Sequence, residues 1–318
     1  MSRGASRREL FGIAAAGLLA GRARPEAAQV SRPGVVGTAH LEAADLDRAS
    51  CVRAVTGAIR AATGAESIDR AMSGLFSSSD VVGIKVNCLG GPRLSPRVEL
   101  VSALADLLAS AGIDRRRIIV FDRSRRELER AGFVARAVAD RFVCRGIDND
   151  YERVVSTSGQ IGSCFDRLVA TTCKTLVSFG VVKDHDLAGV SAGLKNWYGV
   201  IHNPNKYHDS GCDPFVADVV RHPYIRGKLR LTVLDGVEGQ CQGGPALSPN
   251  HLFPLGTVAA STDPVAADLW AWRVIEAERQ RRGLRSLTQE NRAPRFIATA
   301  ADYGLGVGRA EELRTVAA

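Results

Sequence analysis

The feature that most constrains the fold is a set of apolar runs that are too short to be helices. Residues 80–87, 117–122 and 175–182 are near-continuous runs rich in Val, Ile and Leu, and residues 229–235 form a fourth run interrupted by Arg and Thr. Runs of this length and composition are typical of strands that are buried on both faces of a parallel sheet. Each run is therefore predicted to be a central strand.

Amphipathic patterns with helical spacing separate these runs. We predict helices over 45–62, 65–72, 95–112, 124–131, 189–200, 214–221 and 263–283, and two further short strands over 35–38 and 257–260. The last helix has a clear start, because Asp263 is a favourable N-cap and Pro264 suits the first turn. Strands that alternate with helices favour an α/β fold with a mostly parallel central sheet and helices on both faces, formed by residues 29–318 as a single domain.

The first 28 residues have the character of an export signal. Ser6, the pair Arg7-Arg8 and the apolar residues at 10–11 resemble the twin-arginine pattern, and the apolar run that follows is diluted by Ala and Gly. This run is shorter than the roughly 20 apolar residues that a bilayer span requires. We therefore predict that residues 1–28 are a twin-arginine (Tat) signal peptide, that the Tat translocase is a partner during export, and that the protein is periplasmic or extracellular with no stable membrane span.

Charge and cysteine content exclude several classes of function. The formal net charge is +8, but the Arg residues are dispersed and not interleaved with aromatic residues, so nucleic acid is not a predicted partner. The charge is consistent with solubility and with an acidic substrate. Seven Cys are present and no two have Cys-x-x-Cys spacing, which does not support a ferredoxin-type iron–sulfur cluster or a zinc knuckle. No disulfide pairing can be read from the spacing.

Lysine and histidine are unevenly distributed along the chain. Only six of the 42 basic residues are Lys, and four of these lie between positions 174 and 206. Four of the six His lie between positions 185 and 222. Arg fills most cationic positions in this chain. A Lys therefore suggests a position that needs a compact charge, or an amine whose protonation state changes when it is buried. This part of the chain is therefore the first candidate for a functional site.

Polar side chains also follow the predicted central strands. Lys85 and Asn87 end the first run, Asp122 ends the second, Lys183 follows the third, and Asp235 ends the fourth. Open α/β sheets bind ligands at the carboxyl ends of their strands. We therefore expect Lys85, Asp122, Lys183 and Asp235 to lie at one edge of the sheet.

The densest polar segment runs from residue 183 to residue 199. His185 has Asp184 and Asp186 as neighbours, and these carboxylates are expected to orient the imidazole or raise its pKa, as a general base requires. Lys195 and Asn196 follow in a segment rich in small residues, which permits the close approach of a ligand.

Two further segments allow more than one interpretation. His, Asp and Cys residues between positions 202 and 213 are metal-ligand types, but their spacing matches no standard site, so they are either ligands or surface loop residues. Residues 239–245 contain three Gly but lack the Lys-Ser/Thr ending of a phosphate-binding P-loop. We predict a flexible lid or a turn there.

Several short motifs together resemble the domain of unknown function 362 family. These are residues 82–87, Lys183-x-His185, 189–191, 194–199, His208, 235–236, 243–245 and 263–268. The resemblance implies site roles for Lys85, Lys183, His185, Lys195, Asn196, His208, Asp235, Asp263 and Asp268, although helix capping also explains Asp263. Some members of the family append ferredoxin-type clusters and suggest redox chemistry, but this chain lacks the corresponding Cys run.

These observations predict an exported soluble enzyme with a Lys/His/Asp cleft for a small anionic substrate or cofactor. Redox chemistry is one candidate for its activity. The predicted catalytic residues are His185, Lys183, Lys195 and Asp235, and the predicted substrate-binding residues are Lys85, Asn87, Asn196 and His208. The cofactor is not identified by the sequence, and a metal ion is one candidate. The alternative is a non-catalytic accessory protein that binds a solute or a cofactor.

Overall fold

A nine-stranded mixed sheet forms the centre of the part of the chain that the structure describes. The structure is a computed structural model that describes residues 30–134 and 142–318. The predicted signal peptide, residues 1–28, lies outside the described residues. The order of hydrogen-bonded strands is β11-β1-β10-β9-β7-β2-β3-β4, and β8 pairs with β7.

The strands differ in direction across the sheet. They are β1 (Val35–His40), β2 (Val82–Lys85), β3 (Ile118–Asp122), β4 (Val143–Gly146), β7 (Thr175–His185), β8 (Gly189–Ser191), β9 (Leu229–Gln240), β10 (Leu252–Ser261) and β11 (Arg314–Ala317), and a separate hairpin consists of β5 (Ser156–Ser158) and β6 (Ile161–Ser163). Strands β4, β3, β2, β7 and β9 are parallel to their neighbours in this series. Strand β10 is antiparallel to both β9 and β1, and β11 is parallel to β1. The predicted α/β fold with a mostly parallel sheet is confirmed.

Helices cover both faces of the sheet, as predicted. They are α1 (Arg48–Thr63), α2 (Ile68–Leu75), α3 (Val98–Ser110), α4 (Arg125–Arg130), α5 (Phe215–Arg221), α6 (Pro223–Arg226), α7 (Pro264–Arg281) and α8 (Phe296–Asp302). Helices α1, α2 and α3 pack on alternate strand residues such as Val82, Val120 and Val177. Helices α5, α7 and α8 cover the opposite face. This alternation follows from the two-residue period of side chains in a strand.

The predicted helix over 189–200 is wrong. Residues Gly189–Ser191 form β8, which is antiparallel to the end of β7, and Lys195–Val200 form a short 3₁₀ segment. Gly189 has a φ of 76°, and a Cβ at this position would lie 2.0 Å from the main-chain oxygen of Arg292. The amides of Gly193 and Leu194 donate to the side chain of Asp268. The small residues of this segment therefore allow close tertiary contacts and do not build a helix.

Two central strands extend beyond their predicted ends. Strand β7 continues through Lys183 to His185, so the first residues of the polar segment belong to the sheet. Strand β9 continues to Gln240 and includes Gly239, which was predicted to lie in a lid or turn. The turn itself is fixed, because the Gly244 amide donates to Asp184 Oδ1 at 2.7 Å and a Cβ on Gly244 would lie 2.0 Å from the Asp184 carbonyl oxygen.

Within the described residues, no helix combines the length and the apolar character that crossing a bilayer requires.

Candidate functional site

A cavity of about 280 Å³ opens at the carboxyl ends of β2, β3 and β7. The predicted site residues that line it are Lys85, Asn87, His185, Lys195, Asn196 and His208. Asp122, Ser191 and Tyr198 line it as well. Two predicted catalytic residues, Lys183 and Asp235, are not part of its lining. The structure therefore brings six of the eight predicted site residues together.

Lys85 is part of the cavity wall but is fully engaged by the protein. Its ammonium group donates to Asp122 Oδ1 at 2.6 Å, to the Val86 carbonyl at 2.6 Å and to Asn196 Oδ1 at 3.1 Å. A lysine ammonium has three hydrogens, so these bonds use them all. Both side chains of the Lys85–Asp122 ion pair are almost completely buried. The geometry thus gives Lys85 the task of neutralising Asp122 and orienting Asn196, while direct substrate binding by Lys85 stays a prediction.

Asn196 is held in one orientation by three partners. Its amide nitrogen donates to the Lys85 carbonyl at 2.8 Å and to Ser178 Oγ at 3.1 Å, while its oxygen accepts from Lys85. Ser178 lies on β7 level with Lys85 on β2. The side chain therefore links the 3₁₀ segment to two neighbouring strands and fixes the position of Lys195, the preceding residue.

Lys195 is a buried cation at the cavity with no carboxylate partner. Among the described residues, no carboxylate oxygen lies within 4.0 Å of its ammonium nitrogen. The nitrogen lies 3.3 Å from His208 Nε2 and 4.2 Å from the centroid of the Tyr198 ring. Burial lowers the pKa of Lys195, because removal from water disfavours the charged form.

His208 is suited to accept a hydrogen bond from Lys195. Its Nδ1 lies 3.0 Å from the Pro204 carbonyl, to which a protonated Nδ1 donates, so Nε2 is left as the acceptor. Burial and the nearby charge of Lys195 both lower the pKa of His208. Both effects favour the neutral form of the ring.

The prediction that carboxylates raise the pKa of His185 is wrong. Burial is the main cause that lowers the pKa of His185 to about 2, and the charge of Lys195 adds to it. Asp184 turns away from the ring, and Arg292 binds its carboxylate at 3.0 Å. Asp186 Oδ1 lies 2.9 Å from His185 Nδ1, but the Asp186 side chain is 61% exposed, and solvent screens its charge.

The two nitrogens of His185 have different surroundings. Nδ1 lies 2.9 Å from Asp186 Oδ1, 3.2 Å from the Leu187 amide nitrogen and 3.3 Å from the Ala188 amide nitrogen. Nε2 has no hydrogen-bond partner in residues 30–134 and 142–318. The ring is stacked against His208 at a centroid distance of 5.8 Å. Nε2 is therefore the atom through which His185 could act on a molecule in the cavity.

Lys183 lies on the face of the sheet that is covered by α1 and α3. Its ammonium group is buried and, within residues 30–134 and 142–318, donates a single long hydrogen bond of 3.4 Å to the Leu94 carbonyl. Burial lowers the pKa of Lys183 to about 8, although the charge of Asp122 opposes the shift. Lys183 contributes positive charge beneath the cavity.

Asp235 lies away from the cavity and holds the start of α3. Its Oδ1 accepts from the Arg97 guanidinium at 2.7 Å and its Oδ2 accepts from the Arg97 amide at 2.8 Å. The residue is level with Val181 on β7 and shares the sheet face of Val233. These contacts give Asp235 a structural role, and its predicted catalytic role has no contact in the cavity to support it.

Asp268 and Asp263, which the family resemblance singled out, both bind main-chain amides. Asp268 is completely buried, and its Oδ1 accepts from Gly193 at 2.7 Å and Leu194 at 3.0 Å, directly before Lys195. Asp263 caps α7 and also accepts from the amides of Gly34 and Val307. Asp268 therefore positions the cavity segment, whereas Asp263 joins three parts of the chain elsewhere.

Sequence reasoning did not assign Arg292 to the site. This residue binds the Asp184 carboxylate and donates to the His185 carbonyl at 3.1 Å, and it fixes the end of β7. It is one of many arginines, and more than 100 positions separate it from Asp184, so no local pattern could have indicated it. Asp122 was identified only as a residue at a strand end, and its pairing with Lys85 follows from the parallel pairing of β2 and β3.

The metal-ligand hypothesis receives no support from the described residues. In residues 30–134 and 142–318, no group of three or more His, Cys, Asp or Glu side chains is arranged to hold a metal ion. All seven cysteines lie in these ranges and are free thiols.

Comparisons with known proteins identify a family. No curated protein matches the chain. A solved structure from Thermotoga maritima, determined by the Northeast Structural Genomics Consortium, is similar with a TM-score of 0.45 and 10% identity, and the alignment covers 76% of this chain and 61% of that one. The sequence model of the family described as "Domain of unknown function (DUF362)" matches residues 82–273, which is more than half of the chain. The protein therefore belongs to the DUF362 family.

Proposed function

We propose that the protein is an enzyme that binds a small carboxylate or phosphate anion in the cavity and exchanges a proton with it through His185. The observation that supports this most strongly is the charge of Lys195, which is buried at the cavity without a carboxylate partner among the described residues. Buried charges are costly unless they are paired. An anionic group of a bound molecule would supply the missing partner, with Lys183 adding positive charge beneath it.

His185 is the proposed acid–base group. A ring protonated at Nδ1 donates to Asp186 Oδ1, 2.9 Å away, and presents to the cavity an unprotonated Nε2, which is without a partner in the described residues. Burial and the surrounding cations hold the pKa of His185 far below neutral. A bound anion would offset those cations and raise the pKa of His185, which favours transfer of a proton to the ring. Asn87 is the proposed neutral binding group, while Asn196 donates its two amide hydrogens to the Lys85 carbonyl and Ser178 Oγ and positions Lys195.

The second candidate is a non-catalytic protein that binds an anionic solute or cofactor. The low pKa of His185 favours it, because a general base works best when its pKa lies near the working pH.

The two candidates differ in what happens to the molecule that co-purifies with the natively isolated protein. An enzyme changes this molecule or introduces carbon-bound deuterium into it in D₂O, as measured by mass spectrometry, and a binding protein returns it unchanged. A redox link stays a prediction from the family resemblance.

Replacing Lys195 by Met is expected to abolish anion binding without weakening the fold. Loss of one partner of a buried charge pair costs about 2–5 kcal/mol, which corresponds to a roughly 30-fold or greater loss of affinity. The melting temperature should hold or rise, because the variant removes an unpaired buried cation and keeps most of the apolar stem. Isothermal titration with propionate and with inorganic phosphate, together with thermal melting, provides both measurements.

Lys174→Met is the matched control, since Lys174 is exposed and directly precedes β7 at the opposite end of the strand from His185. It should bind both anions like the wild type. If Lys195→Met lowered the melting temperature by several degrees and left anion affinity intact, the proposed site would be wrong.

We also propose that the protein acts outside the cytoplasm. Replacing both Arg7 and Arg8 by Lys should leave the protein in the cytoplasm, because the twin-arginine pair is the element that the Tat pathway reads. Cell fractionation followed by immunoblotting measures the distribution, and Arg3→Lys serves as the control. Efficient export of the Arg7→Lys, Arg8→Lys variant would contradict the twin-arginine assignment.

A further inference from the structure

Helix α4 retains two arginines that its own carboxylates do not neutralise. Arg123 binds Glu127 at 2.9 Å, and Arg125 binds Glu129 at 2.8 Å, so both glutamates of the helix already have partners. Arg126 and Arg130 are exposed and make no hydrogen bond or ion pair with any residue in the described ranges. They are four positions apart and hence share one side of the helix, where their like charges repel each other.

These two arginines line a second cavity beside the first. The second cavity has a volume of about 590 Å³, and Tyr151 and His202 form an aromatic part of its wall, with their ring centroids 5.1 Å apart. Arg123 and Glu127 line both cavities, so the two are adjacent.

The position of Arg130 supports a connection between the cavities. Its terminal nitrogen Nη2 lies 3.9 Å from the point where a Cβ on Gly91 would be. Gly91 belongs to the loop after β2, and the same loop supplies Asn87 and Leu89 to the lining of the first cavity. The guanidinium of Arg130 is therefore close to the rim of the first cavity.

The carboxylates in the second cavity do not cancel this charge. Glu127 is paired with Arg123, and Asp148 Oδ1 accepts the main-chain amide of Arg125 at 3.1 Å. The three arginines and two carboxylates that line the second cavity leave a net charge of +1, which is carried by Arg126 and Arg130. Guanidinium groups bind carboxylates and phosphates through two parallel hydrogen bonds, and this makes arginine well suited to the end of an anionic molecule.

We propose that the substrate is an elongated molecule with two anionic groups, of which one binds at Lys195 and the other, a carboxylate or a phosphate, binds at Arg126 and Arg130. This inference rests on the proposed function for its first anionic group. Arg126 and Arg130 form a new binding site for the second anionic group. This site adds affinity and selects substrates by length. A molecule with a single anionic group occupies the first cavity only.

The test compares dianions with monoanions of equal chain length by isothermal titration at low ionic strength. The probes are malonate, succinate, glutarate and adipate with the matching monocarboxylates, and phosphonoacetate and 3-phosphonopropionate as the phosphate-like series. The best dianion should bind the wild type about 10-fold or more tightly than its monoanion, the equivalent of one strong charged contact. A preference for the phosphonates indicates a phosphate at the second site, and a preference for the dicarboxylates indicates a carboxylate.

The double variant Arg126→Gln, Arg130→Gln should lose most of this advantage and bind the monoanions like the wild type. Arg125→Gln is the matched control on the same helix, because Arg125 is paired with Glu129 and does not line either cavity. It should keep the full advantage of the dianion. All of these side chains are exposed, and unchanged melting temperatures would show that the variants are folded.

Two results would overturn the second site. One is an undiminished dianion advantage in the Arg126→Gln, Arg130→Gln variant, and the other is the absence of any dianion that binds the wild type more tightly than its monoanion. Failure of the proposed function looks different, since monoanions would then bind the wild type and Lys195→Met equally or would not bind either protein.

Discussion

Replacing Asp122 by Ala is expected to lower the free energy of unfolding by about 3–5 kcal/mol, since removal of one partner of a buried ion pair leaves the other charge uncompensated. The Lys85 ammonium lies 2.6 Å from Asp122 Oδ1, and the two side chains are 1% and 5% exposed. Asp122 also accepts from the amides of Cys88 and Arg123, which would lose their acceptor. The variant therefore disturbs the carboxyl ends of both β2 and β3.

Chemical denaturation of purified variants measures this effect. Glu129→Ala is the control, because it removes a carboxylate from the exposed pair with Arg125, and exposed pairs contribute about 1 kcal/mol or less. The double variant Lys85→Met, Asp122→Leu should recover much of the lost stability, since it removes both charges together. Equal stabilities of Asp122→Ala and Glu129→Ala would contradict the assigned importance of the pair.

Replacing Asp268 by Asn is expected to change how stability depends on pH. Burial raises the pKa of Asp268 to about 7 from the ordinary value of 3.8, and no cation pairs with it in the described residues. Between pH 3.8 and about pH 7, the Asp268 carboxyl group is protonated in the folded protein and ionised in the unfolded chain. The contribution of this group to the free energy of unfolding therefore falls as the pH rises, by about 1.4 kcal/mol per unit and about 4 kcal/mol in total, and is constant above pH 7.

The Asn side chain cannot lose a proton in this range, so the variant lacks this contribution to the slope. The difference in unfolding free energy between wild type and Asp268→Asn should shift by about 4 kcal/mol between pH 4 and pH 8, in the direction that favours the variant at high pH. Urea denaturation at a series of pH values provides the measurement, with Asp45→Asn as the control for an exposed carboxylate. Parallel pH profiles of wild type and Asp268→Asn would contradict the assignment.

Local patterns predicted the central strands and most helices because burial in a parallel sheet leaves a direct mark on the sequence, whereas the short or peripheral strands β4, β5, β6, β8 and β11 were not predicted. The run over 175–182 is mostly apolar, and the structure buries all of β7. The same local reasoning failed at 189–200. The pattern of this segment resembles that of a helix. However, Asp268, more than 70 positions later, accepts hydrogen bonds from the amides of Gly193 and Leu194, and these bonds replace helical ones.

The candidate site was predictable to the extent that it depends on strand ends. Lys85 and His185 end parallel strands, and rare Lys and His residues indicated the segment that contains Lys195. What the sequence could not provide is the partner of each charge. Asp122 neutralises Lys85, Arg292 binds Asp184, and burial together with the charge of Lys195 lowers the pKa of His185 instead of raising it. Such pairings arise from tertiary packing and have no fixed spacing along the chain.

The parallel pairing of β11 with β1 has a practical consequence for attaching the protein to a surface. The Ala318 amide donates to the Thr38 carbonyl at 2.8 Å, so Ala318 lies beside the outer strands of the sheet. Strands β1, β10 and β9 separate β11 from β7, a distance of about 19 Å at the usual strand spacing. A biotin tag or a fluorophore joined after Ala318 would therefore tether the molecule by the edge remote from the cavity, and immobilised protein would present an open cavity to dissolved anions.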